Sequence, residues 1–123
     1  MKSKVLVGLT ASVLMMSAPV QANDMELAYT NTIVSHYASG LEVRHWFNRD
    51  GSYQAFFSDG RRMTGRWTAE GEKVCLNEIR PRMILSRFCT PAVQAKLGET
   101  WNSRDPLGRR VRNILEAGRR VNK

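Results

Sequence analysis

The chain has 123 residues, two cysteines and a formal net charge of +8. That length bounds the protein to one small core that gains from a covalent staple, and the basic excess sets it against basic partners and toward anionic ones. The N-terminal apolar run falls short of the ~20 residues needed to cross a bilayer as a helix and ends at Pro19, so a transmembrane anchor is the weaker reading of it.

Lys2 and Lys4 form a positive start, and Val5 to Met16 is apolar apart from Gly8, Thr10 and Ser12. Pro19-Val20-Gln21-Ala22 then offers small residues at the positions a signal peptidase reads. Residues 1–22 are read as a cleaved signal peptide, with cleavage near Ala22. Residues 23–123 are read as a single exported β domain, periplasmic or secreted. No cysteine lies near the cleavage point for lipid attachment. Export places Cys75 and Cys89 where disulfides persist. Their bridge closes a loop of about 15 residues, worth roughly 3 kcal/mol in the chain-entropy model. A two-cysteine metal site or a redox pair fits less well, because the spacing is not C-x-x-C and neither His36 nor His45 is close in sequence.

Asp24 can cap one helical turn through Met25-Glu26-Leu27, or the segment leads extended into the first strand. Thr32 to His36 is β-branched and reads as a strand ended by Ser39-Gly40. Leu41 to Phe47 alternates, with Leu41, Val43, His45 and Phe47 on one face and Glu42, Arg44 and Trp46 on the other. Asp50-Gly51, Asp59-Gly60 and Glu70-Gly71 punctuate the next stretch at nine- to eleven-residue intervals. Asp-Gly between apolar runs is a strong hairpin signal, so the pattern predicts an antiparallel meander. Tyr53, Ala55 and Phe57 share a face of the strand Ser52 to Phe57. Met63, Gly65 and Trp67 share one of the strand Arg62 to Ala69, with Arg62, Thr64, Arg66 and Thr68 toward solvent. Gly65 inside a strand suggests a bulge or a close backbone approach.

Lys73 to Glu78 and Met83 to Cys89 are predicted strands, with Pro81 ending the ladder between them. Residues 90–98 carry a helix's punctuation and a strand's alternation at once. Gly98 to Arg104 reads as a strand. Asp105-Pro106-Leu107-Gly108 fits a type I turn and equally the start of a helix with the stripe Leu107, Val111, Ile114, Leu115. Periodicity alone slightly favours the helix over residues 106–117. The fold class expected is all-β, an antiparallel meander of seven to eight short strands closing into a small barrel or sandwich with one disulfide.

The succession N-x-D-G-x-Y (Asn48 to Tyr53), G-x-W (Gly65 to Trp67), E-G-x-x-x-C-L (Glu70 to Leu76), a second cysteine and G-E-T-W (Gly98 to Trp101) resembles small exported bacterial proteins of unknown function. The resemblance covers residues 29–118. It implies a β meander closing toward a barrel with the two cysteines bridged, tips the last segment toward a strand, and brings no activity with it.

Few residues point to chemistry. Asp50, Asp59 and Asp105 sit in predicted turns, where bonding to their own backbone accounts for them. His36 and His45 lie near opposite each other if their strands pair through Ser39-Gly40. They are weak candidates for a metal such as Zn²⁺ or Cu²⁺, with no third ligand evident. No G-x-S-x-G elbow and no Gly-rich phosphate loop is present, and no cofactor is implied. Trp46 and Phe56 fall on the face opposite their strands' main apolar sets. They form either a second core layer or an aromatic patch near Arg44, Arg62 and Arg66.

The segment 104–123 holds seven basic residues against Asp105 and Glu116. Arg109, Arg110, Arg112, Arg119 and Arg120 are the candidate contacts for an anionic partner, since guanidinium groups fork onto phosphates. Export favours envelope polymers or lipid phosphates over nucleic acid. The expectation is a non-enzymatic binding or structural module of the cell envelope, with a small apolar ligand as one partner. The alternatives are an inhibitor of a secreted enzyme and an arginine-rich face for anionic envelope components.

Overall fold

Turn chemistry sets the connections in the computed structural model, which describes residues 25–83 and 85–120. The segment read as a signal peptide and the cap assigned to Asp24 lie outside the described residues. A short helix α1 (Glu26–Tyr29) precedes eight strands: β1 (Thr32–Tyr37), β2 (Glu42–Phe47), β3 (Ser52–Phe57), β4 (Arg62–Glu70), β5 (Lys73–Arg80), β6 (Arg87–Pro91), β7 (Thr100–Arg104) and β8 (Arg110–Glu116).

Four hairpins use one loop. In the β2–β3 loop the Asn48 N–H donates to the Ser52 carbonyl (2.9 Å) and the Gly51 N–H donates back to the Asn48 carbonyl (3.0 Å). The same pair of bonds recurs at Tyr37–Leu41, Phe57–Arg61 and Asp105–Arg109. Each needs a left-handed residue at its fourth position, supplied in this loop by Gly51 at φ 91°, which is the three-residue hairpin with a glycine bulge. Asp50 and Asp59 reinforce their loops by accepting from the backbone N–H groups of Ser52 and Arg61.

All neighbours pair antiparallel in the order β6-β5-β4-β3-β2-β1-β8-β7. The sheet curls into a nearly closed barrel whose seam lies between β6 and β7. The inward stripe follows the expected alternation on β2, β3 and β4. On β5 it shifts from Val74 and Leu76 to Ile79, because Thr64 pairs Arg80 while Arg66 pairs Asn77. The extra residue is a bulge with Glu78 at φ 52°, and it faces Gly65. A Cβ on Gly65 would stand 3.0 Å from the Asn77 carbonyl oxygen and 3.7 Å from Cδ2 of Tyr53. Gly65 is thus the close approach that its place in the strand suggests.

The core cluster of Tyr29, Val43, Tyr53, Ala55, Trp67 and Val74 gathers toward the end that α1 covers. There the Tyr29 ring lies 6.1 Å from that of Trp67, and the Trp67 indole N–H donates to the Asn48 carbonyl (2.7 Å). Cys75 and Cys89 are bonded directly across the β5–β6 ladder. The bridge holds the seam strand β6 to the sheet.

Several elements depart from expectation. The strand expected at Met83 to Cys89 forms over Arg87–Pro91 instead, starting after the chain has turned past Pro81. Residues 92–99 are neither helix nor strand. They carry the chain from β6 to β7 across the seam at the α1 end, tied by Ala92 N–H to the Glu72 carbonyl and Gly98 N–H to the Leu115 carbonyl. The helical option for residues 106–117 is overturned. Asp105 to Gly108 is the turn, closed by Gly108 N–H to the Asp105 carbonyl (2.8 Å). Residues 110–116 form β8, laddered on both sides by β1 and β7. The supposed helical stripe splits, with Val111 and Leu115 buried inward, Ile114 outward, and Leu107 67 % exposed at the turn.

Gly65→Ala is expected to lower stability by about 1–3 kcal/mol, since the new methyl must push back the Asn77 carbonyl. Denaturant midpoints measure this, and an unchanged midpoint would show that the bulge yields without cost.

Candidate functional site

The barrel interior is not filled. Inward side chains of every strand surround a cavity of about 750 Å³. Val43, Phe57, Met63, Leu76, Phe88 and Trp101 supply most of its apolar wall. The lining reaches Met25, Phe47 and Ala92 toward the α1 end, and at the opposite end, where the loops β1–β2, β3–β4, β5–β6 and β7–β8 meet, the exposed side chains of Arg61, Arg82, Met83 and Leu107 border it and form its mouth.

A chain of hydrogen bonds crosses one wall. Tyr53 Oη lies 2.6 Å from His45 Nδ1, and His45 Nε2 lies 2.9 Å from Ser35 Oγ. Ser35 Oγ donates to Asn113 Oδ1, and Asn113 Nδ2 donates to Ser103 Oγ (2.9 Å). These contacts assign the directions. The Ser35 hydrogen is committed to Asn113, so Ser35 accepts from His45, which places the ring proton on Nε2 and leaves Nδ1 to accept from the Tyr53 phenol. Burial raises the Tyr53 pKa and keeps it a phenol. His45 borders the cavity and is half-buried, and desolvation by its surroundings pushes its pKa down to about 4. In this arrangement His45 donates to Ser35 and cannot take its proton, so the pair is not an activated nucleophile. The Ser103 hydroxyl, which lines the cavity, keeps its own hydrogen to offer to an acceptor inside.

The mouth is basic. Arg61, Arg62, Arg82, Arg104 and Arg109 all border it. Arg61 pairs with Asp59 (2.8 Å) and lies over the Phe57 ring. Arg109 pairs with Asp105 (2.9 Å) and lies over Tyr37. Asp105 does more than hold its turn. It is 9 % exposed and accepts from the backbone N–H groups of Leu107 and Arg109, the Arg109 side chain and the Tyr37 phenol (3.1 Å). Burial opposes its charge, but these bonds outweigh that and hold its pKa below the usual carboxylate value. Burial first, and then the Asp105 carboxylate, push the Tyr37 pKa up to about 12.

The five candidate arginines do not form one set. Arg109 stands at the mouth. Arg110 and Arg112 lie on the outer face of β8, exposed, with Arg110 directly opposite Arg104. Arg119 is at the other end and serves the fold. Its guanidinium donates to the carbonyls of Ala28, Asn31 and Phe47 and to Asn48 Oδ1, tying the chain's end to α1 and β2, and burial lowers its pKa. Arg120 is exposed beside it.

Trp46 and Phe56 do meet on the outer face, edge to face at 4.7 Å, with Arg62 over Phe56 and Arg119 over Trp46. Both are half-buried. The Trp46 indole N–H donates to Thr32 Oγ1 (3.1 Å), and Thr32 and Val34 on the same face are almost fully buried. The pair therefore belongs to a small outer apolar layer.

His36 and His45 are not opposite each other. The register places His36 against Glu42 and His45 against Ile33, because Tyr37 to Leu41 form the turn. His36 faces out, 3.6 Å from Glu42, and His45 faces in, so the two imidazoles cannot converge on one ion. Among the described residues no group of three or more His, Cys, Asp or Glu side chains converges as a metal site. Sequence reasoning passed over Ser35, Ser103 and Asn113. The available signal was a polar residue standing in an inward apolar stripe, as Asn113 does between Val111 and Leu115.

A histidine with an ordinary pKa near 6.5 unfolded and about 4 folded binds its proton more readily in the unfolded chain. Its contribution is fully present above pH ~6.5 and is lost as pH falls toward 4, on the order of 2–3 kcal/mol in all. Thermal midpoints of the wild type should fall steadily between pH 6.5 and 4.5, and those of His45→Gln should fall less. Identical slopes would mean that His45 is not held neutral by desolvation in the fold. Comparison of the chain with protein-family models, with curated proteins and with solved structures finds no match to any of them.

Proposed function

We propose that the protein is a non-enzymatic binding module of the cell envelope that holds one small, largely apolar ligand inside its barrel. The observation that carries this reading is the open cavity. An eight-stranded barrel is just wide enough either to be filled by side chains or to keep room for one small ligand. About 750 Å³ of unfilled interior lies within the range of small-molecule sites, 300–1,000 Å³. The wall chemistry supports the same reading, with aliphatic and aromatic surface for the ligand's body and few polar groups to orient it. Ser103 offers a donor partway along the wall, and Arg61 and Arg109 stand at the mouth. A ligand with an apolar body and an acceptor or anionic end fits this distribution. Export to the periplasm belongs to the same proposal, supported by the character of residues 1–22 and by the disulfide.

Titration with long-chain carboxylates and matched alcohols tests the reading. Trp101 borders the cavity, so tryptophan emission should change and saturate at one ligand per chain. Thr90→Phe places a ring on the cavity wall and should weaken binding at least tenfold while far-ultraviolet dichroism stays unchanged. An absence of saturable response across both ligand series would overturn the proposal.

A further inference from the structure

The mouth of the barrel carries a combination that ligand binding alone does not require. Leu107, at the tip of the β7–β8 hairpin, is 67 % exposed, more than any other large hydrophobic residue of the described chain. Met83, in the β5–β6 loop at the same end, is 38 % exposed. Both border the cavity opening. Around them stand arginines that no carboxylate neutralises. Arg62, Arg82 and Arg104 at the mouth, and Arg110 and Arg112 on the adjoining wall of β8, have no acidic partner among the described residues. Arg104 and Arg110 are directly opposite each other, an arrangement of like charges that costs stability. Arg104 is also held in place, donating to the Gly108 carbonyl (2.8 Å) beside Leu107.

We propose that this mouth docks on an anionic lipid surface, with Leu107 and Met83 entering the headgroup boundary and Arg62, Arg82, Arg104 and Arg110 meeting lipid phosphates. A soluble anionic polymer would satisfy the arginines but would give two exposed apolar tips nothing to enter. A neutral bilayer would accept the tips and leave the arginines without counter-charge. An anionic bilayer matches both, as it does for amphipathic surfaces that combine apolar insertion with basic residues. The opposite end also exposes Leu27, Val93 and Leu97, but there Arg119 is consumed by backbone acceptors and Arg49 is paired with Glu26, so those apolar side chains lack a comparable set of unpaired arginines among the described residues. Docked this way, the cavity opens directly onto the lipid.

Flotation with phosphatidylcholine vesicles, with and without phosphatidylglycerol, tests the docking. The wild-type chain should float only with the anionic vesicles and should be released by salt. Leu107→Asp should weaken this binding at least tenfold. Arg104→Glu should weaken it more than Arg120→Glu, which makes the same charge change at the α1 end. Leu107→Trp supplies a readout independent of affinity, an emission that shifts to the blue only with anionic vesicles. Equal losses for Arg104→Glu and Arg120→Glu would overturn the proposal, as would an unchanged Leu107→Trp emission or release by soluble heparin regardless of Leu107. Carboxylate titration in the absence of vesicles reports on the cavity separately, so failure of docking and failure of ligand binding are distinguishable.

Discussion

The hydrogen bond from the Tyr53 phenol to His45 Nδ1 couples the packed end of this barrel to its open interior. The ring of Tyr53 is almost fully buried, packs against Phe47, and pairs across the ladder with Gly65. A Cβ at Gly65 would meet that ring at ordinary contact distance but would crowd the Asn77 carbonyl of the neighbouring strand. The bulge at Glu78 then resets the inward parity of β5, which turns Ile79 into the barrel instead of away from it. On the other side, the phenol's proton fixes the tautomer of His45. That tautomer sets the direction of every later bond through Ser35 and Asn113 to Ser103. One aromatic side chain therefore serves both the packing and the polar wall.

Burial makes that wall consistent. A neutral imidazole with both nitrogens satisfied costs little inside a barrel, whereas an imidazolium there has no counter-charge. The network thus keeps the interior uncharged and confines formal charge to the rim. At the rim Asp59 and Asp105 are each paired with an arginine and Glu42 with Arg44 and His36, and Arg62, Arg82 and Arg104 have no acidic partner among the described residues. A cavity without charge below a ring of positive charge is the electrostatic layout on which both the ligand reading and the docking inference rest.

The outer layer shows that an apolar residue on the off-face of a barrel strand need not be a binding patch. Trp46 and Phe56 cover a strip of sheet that also buries Thr32 and Val34, and arginines lie across the rings. Cationic side chains with long apolar stems cover such a layer while keeping their heads in water. Arg119 goes further, replacing the water that the carbonyls around the N-terminal helix would otherwise need.

The meander, its turns, the inward faces of the central strands, the role of Gly65 and the cysteine pairing were all legible in the chain itself. They follow from local rules: a glycine where φ must be positive, alternation where one face is buried, and two cysteines with no other thiol in the chain to pair with. What lay beyond the sequence depended on which strands pair across long separations. Residues 110–116 have a helix's spacing and became a strand because β1 and β7 offer ladders on both sides. His36 and His45 parted because the loop from Tyr37 to Leu41 sets a register that puts their side chains on opposite faces. Ser35, His45 and Asn113, on three different strands, became one hydrogen-bonded chain only when the sheet curled and brought β8 beside β1. Barrel closure also decided that the interior stays open, because cavity volume depends on how all eight strands meet and no single stretch of sequence carries that information.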